Sequence, residues 1–348
     1  MCAWEWPRLR REASGAAEHD VSRHAALLEA MTRPLLFFGG KGGVGKTTLA
    51  AARALESAAQ GTPTLLVSTD PAHSTSDALE VSLGPEPREV ASDLWAVELD
   101  PVTETERYMA EVRERIADAV PPRLATEVER QLDVARASPG SEEAALFDRF
   151  ARIIAERQYG RIVFDTAPSG QTLRLLSLPE LMTTWIGSLI SQRKKVTALG
   201  QMWRNVAGAA AGSEPRGTDV VLEALGERRD RFSAARKLLC DPARTAFVFV
   251  TVAERLPVLE THRIVTALSR HGIPVGGVIV NQILPETATD EFLVRRKARE
   301  AEHLADMEIR FGDWPLGYLP LLDHDPVGAD QLQSLLGLLR AHGMEDPA

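Results

Sequence analysis

The run Gly40-Lys41-Gly42-Gly43-Val44-Gly45-Lys46-Thr47 fits the pattern G-x-x-x-x-G-K-[ST], and Thr48 leads on into a helical stretch, Thr48–Ala59. These residue types in this order suit one task, the holding of phosphate groups. Glycines let backbone N–H groups turn inward around an anion with no Cβ in the way. The start of a following helix adds partial positive charge. A lysine at position 46 can reach the β- and γ-phosphates, and a hydroxyl at Thr47 can ligate Mg²⁺. A glycine-rich turn with a chance Lys-Thr is the competing reading. It loses on context, because the run follows a strand-like segment and opens a helix-like one.

Acidic and amide residues stand at the ends of other apolar segments. Leu65–Val67 leads into Ser68-Thr69-Asp70, and a short helical stretch carries Asp77. Asp70 is placed to hold Mg²⁺ through water and Asp77 to orient an attacking water; taken alone, Asp77 reads equally as a first-turn residue stabilised by the helix dipole. Ile162–Phe164 ends at Asp165, followed by Thr166-Ala167-Pro168-Ser169-Gly170-Gln171. A carboxylate closing an apolar strand is the arrangement that positions Mg²⁺ and its water shell. Gly170 permits close backbone approach to a γ-phosphate, so its loop can report that phosphate's presence. Asn281 offers the donor and acceptor that an adenine edge needs, and Pro320 closes the last apolar strand on the same side.

These residues need a scaffold that brings their loops together. Short apolar runs at Leu35–Phe38, Thr64–Val67, Leu94–Leu99, Ile162–Phe164, Phe247–Val250, Val278–Val280 and Gly317–Leu319 read as buried parallel strands. Helical stretches separate most of them, as crossover connections require. The fold class is therefore α/β, a doubly wound and mostly parallel sheet with an inserted helical subdomain. All the candidate residues lie beyond the carboxyl ends of its strands, where open α/β sheets bind ligands. Segments 101–157 and 178–240 are too long for simple crossovers and are assigned to the helical subdomain. Residues 34–348 make up the main domain. Residues 1–33 show no strong periodicity and read as a tail, or as an extension preceding a start at Met31, rather than as a basic-aromatic arm.

Composition excludes several classes. Forty basic against 49 acidic residues give a net charge of −9, which argues against nucleic-acid binding through a basic surface. The two cysteines, Cys2 and Cys240, provide neither a disulfide framework nor a four-cysteine zinc site within the chain. No apolar run approaches the roughly 18 residues of a membrane span, and no signal-peptide pattern opens the chain. A cytoplasmic location is the expectation.

The combination of Gly40–Thr48, Ser68-Thr69-Asp70-Pro71-Ala72-His73-Ser74, Ser76–Leu79 and Asp165–Arg174 resembles the arsenite-pump ATPase family, which includes the ATPases that escort tail-anchored membrane proteins. Asp241-Pro242, Phe247–Thr251, Glu260-Thr261 with Arg263, and Asn281-Gln282 extend the resemblance. It implies a P-loop ATPase of the deviant Walker A class, acting as a nucleotide-gated homodimer on ATP and Mg²⁺. It further implies that Lys41 acts across the subunit interface, with Lys46 and Thr47 as loop ligands and Asp77 as the hydrolytic residue. Asp70 and Asp165 would stand around Mg²⁺, and Asn281 at adenine.

Departures from the family pattern are Ser169 and Gln171, where Thr and His are usual, and the absence of both the metalloid cysteines and the zinc-binding Cys-x-x-Cys pair. Leu178, Leu181, Met182, Trp185, Ile186, Leu189 and Ile190 form a helical apolar stripe. Such a stripe serves either as subdomain core or as a groove for a hydrophobic membrane-protein client, and Tyr108, Met109, Val112 and Ile116 pose the same choice. A ParA- or MinD-like spatial regulator is the alternative function, though no basic face or terminal basic amphipathic helix supports it. A scaffold with a degraded site is disfavoured by the intact loop and acidic positions.

Overall fold

The computed structural model describes residues 14–70, 74–117, 125–137, 140–166, 216–285 and 290–341. The chain divides into two compact units, one of residues 1–99, 158–173 and 239–348 and the other of residues 100–157 and 174–238.

The first unit is built on an eight-stranded sheet. Its strands are β1 (Leu35–Gly40), β2 (Thr64–Ser68), β3 (Arg88–Ala91), β4 (Leu94–Glu98), β5 (Arg161–Asp165), β6 (Thr245–Val252), β7 (Val275–Ile283) and β8 (Leu316–Pro320), in the spatial order β3-β4-β2-β5-β1-β6-β7-β8. Every pairing is parallel except β3 with β4. All seven strands expected from apolar runs are present, and the α/β expectation holds. The eighth, β3, escaped notice because Arg88-Glu89-Val90-Ala91 is a half-exposed polar edge rather than a buried run.

β1 is central because both of its faces are apolar. Leu36 and Phe38 enter the core formed with α2 (Lys46–Ala59) and α10 (Gly328–Ala341). On the opposite face Phe37 stacks between Phe164 and Phe247, each with ring centroids 4.3 Å away. Register then places the chemistry: Phe38 pairs with Asp165 and Gly40 with Val250, so the carboxyl end of β5 lies beside the loop that leaves β1. The remaining helices of this unit are α1 (Ser14–Ala30), α3 (Ser74–Leu79), α8 (Arg255–Arg270) and α9 (Glu291–Arg310).

Helix α1 corrects the expectation of a tail for residues 14–30 of the segment 1–33. Leu27 is fully buried against β7 and β8, where Gly277 and Gly317 leave room: a Cβ at either position would lie 2.7 or 2.5 Å from Leu27. Arg23 adds hydrogen bonds to the carbonyls of Phe311 (3.0 Å) and Trp314 (2.6 Å) and an ion pair with Glu308. The segment shows little periodicity of its own because its complement is a cleft made by two glycines far away in sequence.

Burial also holds the His24 imidazole below its ordinary value, against an opposing hydrogen bond at the Leu339 backbone. The unfolded chain takes up this proton near pH 6.5 and the folded chain only at lower pH. The stability tied to neutral His24 is therefore complete above that value and is lost as pH falls from it toward the folded pKa. Going from about pH 7.5 to about pH 5 is expected to lower the Tm of the wild-type protein more than that of His24→Leu. Equal slopes in a thermal-melt series would remove His24 from this account.

The second unit holds α4 (Pro101–Ala117), α5 (Ala125–Arg136), α6 (Ser141–Glu156) and most of α7 (Arg216–Leu239). Gly140, at a φ of 90°, opens α6. Met109 of α4 is buried, and Arg228 lies 4.0 Å over the Tyr108 ring. These two side chains therefore serve packing within the unit. Asp148, nearly buried, gathers Arg152 at 2.8 Å and Arg231 at 2.9 Å. The stripe from Leu178 to Ile190 lies outside the described residues.

Candidate functional site

Two glycines show why the β1–α2 loop has its sequence. Gly40 sits at a φ of +149°, and a Cβ there would stand 2.2 Å from the Val250 carbonyl oxygen of β6. Gly45 caps α2 at a φ of +96°, and a Cβ there would stand 2.4 Å from Asn281 Nδ2. Both positions combine left-handed backbone with close approach, which an L side chain tolerates poorly. Gly42 and Gly43 are exposed at the tip and Val44 is buried beneath it. Lys46 is only 3% exposed, and its ammonium donates to the Lys41 carbonyl at 3.2 Å. That bond joins the first residue of α2 to the start of the loop.

Beneath the loop stands a hydroxyl–carboxylate cluster. Thr47 Oγ1 donates to Asp165 Oδ2 at 2.7 Å and lies 3.0 Å from Ser74 Oγ, while Thr75 Oγ1 approaches the same carboxylate oxygen at 3.4 Å. Asp165 is fully buried. Burial pushes its pKa up to about 6, partly opposed by the Thr47 hydrogen bond and the Lys46 charge and reinforced by the nearby charge of Asp70. Its other oxygen, Oδ1, is buried with no hydrogen-bond partner among the described residues. An oxygen-only donor set with one lone-pair site unfilled suits a hard divalent cation that keeps most of its other ligands as water and phosphate. Among the described residues no group of three or more His, Cys, Asp or Glu side chains is arranged to hold a metal. A Mg²⁺ site completed by phosphate does not require one.

Asp77 is exposed on α3, the same short helix whose Ser74 and Thr75 meet Thr47 and Asp165. Glu98 of β4, nearly buried, accepts from the Ser76 backbone N–H at 3.0 Å and so anchors that helix. Asp70, half-buried, stands two residues beyond the end of β2. Thr48 is half-buried in the first turn of α2. Ser74, Thr75 and Glu98 were not recognised from sequence, because each acts through a partner on another element. The one acid in the otherwise apolar run Leu94–Leu99, Glu98, was the available signal.

Two positions take on roles the sequence did not suggest. Asn281 Nδ2 donates to the Val44 carbonyl at 2.9 Å, tying the end of β7 to the phosphate loop. Lys41 pairs with Glu260 of α8 at 3.6 Å, both side chains being about two-fifths exposed (42% and 43%). Next to Asn281, Gln282 adopts a φ of 61° and lines a 560 Å³ cavity with Leu321, Phe292 and Arg299 at the same edge of the sheet. Pro320 ends β8, buried and paired with Ile283. Gly170, Ser169, Gln171 and His73 lie outside the described residues.

The profile of the family described as anion-transporting ATPase (ArsA ATPase) matches residues 33–341. The chain belongs to that family. It is 34% identical over 301 residues to a putative arsenical pump-driving ATPase 2 of Aquifex aeolicus, covering 86% of this chain and 96% of the relative. It is 32% identical over 314 residues to the ATPase GET3 of Malassezia globosa, covering 89% and 91%. With the ATPase ARSA1 of Chlamydomonas reinhardtii the identity is 34% over 315 residues, covering 83% of this chain but 40% of that longer protein. As a family member the chain is an ATPase. No helix among the described residues is long and apolar enough to cross a membrane.

Proposed function

We propose that two copies of this chain close on ATP and Mg²⁺ and reopen after hydrolysis, coupling that cycle to a hydrophobic membrane-protein client or a membrane partner through the helical unit. The supporting observation is the division of labour between two lysines of one loop. Lys46 is buried over the Thr47–Asp165 pair, whereas Lys41 points outward and remains two-fifths exposed. One lysine serves the phosphates held by its own chain, and the other, once it exchanges its exposed Glu260 partner, serves a second chain.

Thr47 and Asp165 would hold Mg²⁺, directly and through water, with Asp70 adding charge nearby. The bound ion supplies charge neutralisation across the β- and γ-phosphates. Lys46 binds the same phosphates, and the loop's backbone N–H groups orient them. Asp77 orients the attacking water and accepts its proton. Asn281 holds the loop in its binding shape through Val44, and the cavity beside Gln282 has room for a base.

Relatives whose names refer to an arsenical pump and relatives named GET3 suggest two different outputs. A soft thiolate cluster is what a metalloid requires, and two cysteines at positions 2 and 240 do not make one within the chain. That favours the client over the metalloid. The test is sedimentation of the purified chain with and without ATP and Mg²⁺, followed by co-purification from cells of an Asp77→Asn protein trapped with ATP. Nucleotide-dependent doubling of mass and recovery of a single-span membrane protein are expected. A chain that hydrolyses ATP while remaining a monomer overturns the reading.

A further inference from the structure

Lys41 cannot serve a second chain while it is held by its own. Its side chain ends 3.6 Å from Glu260 Oε2, and both residues belong to the same compact unit. The elements behind them are firmly placed. Lys41 directly follows Gly40, whose backbone is pressed against Val250, and its carbonyl is engaged by Lys46 Nζ at 3.2 Å. Glu260 sits on α8 beside Thr261, which is 2% exposed, on a helix anchored by buried Pro257, Val258, Val265 and Leu268. The two backbones are thus fixed while the two side-chain tips remain open to water. An ion pair of this kind forms readily and is just as readily exchanged for a stronger partner.

We infer that Glu260 is a positioning residue for Lys41, an intramolecular latch that occupies the lysine until a triphosphate on a second copy of this chain displaces it. The inference rests on the two-chain reading above. A carboxylate carries one negative charge and binds an ammonium at a single point, whereas a triphosphate offers several charged oxygens at once. The exchange therefore runs toward the nucleotide only when a loaded partner is present. With ADP or without nucleotide, Glu260 keeps Lys41, and no lysine is released to reach across the two-fold axis to the second copy. The latch thereby makes closure depend on the triphosphate.

Removing the latch should loosen that dependence. Glu260→Gln keeps the shape and a hydrogen-bonding end but not the charge, at a site exposed enough for folding to survive. A half-exposed pair restrains its lysine about three-fold, and two latches per dimer combine to about ten-fold. In sedimentation titrations with ATP and Mg²⁺, Glu260→Gln is expected to dimerise at about one-tenth of the wild-type protein concentration. Glu260→Asp, with the charge kept on a shorter arm, should fall between the two. The gap between wild type and Glu260→Gln should narrow at about 0.5 M salt, since salt screens the latch.

Dimerisation of Glu260→Gln that is unchanged or weaker than wild type overturns the latch while leaving the two-chain reading intact. A wild-type chain that stays monomeric with ATP, checked in the same run, overturns both.

Discussion

Replacing Asp77 by Asn is expected to leave ATP binding within about two-fold of wild type and to slow hydrolysis by about a hundred-fold or more. Binding should persist because, among the described residues, the carboxylate makes no hydrogen bond or ion pair with the phosphate loop, while the groups proposed to hold phosphate, Lys46 and Thr47, are tied to Lys41 and Asp165. Turnover should collapse because an amide can orient a water but cannot take its proton. The backbone that carries Asp77 is anchored even though its side chain is exposed. Its helix is fixed at one end by Glu98 accepting from the Ser76 N–H and is joined through Ser74 to Thr47. The measurement is a pair: equilibrium binding of a fluorescent ATP analogue and single-turnover release of phosphate. A variant that turns over at the wild-type rate takes Asp77 out of the chemistry, and one that fails to bind makes it a structural residue.

Much of this molecule was legible from residues that are neighbours in sequence. The phosphate loop is one local motif, and the glycines at 40 and 45 announce the tight backbone that the structure requires there. The buried strands were legible because a strand covered on both faces is a continuous apolar run, as in Leu35–Phe38. What sequence did not reveal is what depends on pairing. The edge strand Arg88–Ala91 is stabilised by β4 and not by its own pattern. Helix α1 depends on two distant glycines, and the bond from Asn281 to the Val44 carbonyl joins residues 237 positions apart. Glu260 stood out only as part of a family resemblance, with no chemical role, until α8 brought it to Lys41. Local chemistry can be read along the chain; long-range partnership depends on topology.

The largest effect is expected from Lys41→Ala. This variant should still bind nucleotide, since buried Lys46 and the Thr47–Asp165 pair are untouched, but should lose ATP-dependent dimerisation and about a thousand-fold in hydrolysis. A cation supplied from a second chain meets the charge that develops on the transferred phosphoryl group, and cations supplied in trans elsewhere have effects of that order. The same substitution also frees Glu260. If the role of Lys41 were confined to its own chain, deleting it would resemble deleting its partner, and Lys41→Ala and Glu260→Gln would alter sedimentation in the same direction. If Lys41 is exchanged between Glu260 and a neighbouring triphosphate, the two variants must move in opposite directions, Lys41→Ala toward monomer and Glu260→Gln toward dimer. The double variant then follows Lys41→Ala, because a latch with nothing to hold has no effect. Titrating all four proteins with ATP in one sedimentation series decides the matter, and matching shifts for the two single variants would end the case for an exchanged lysine.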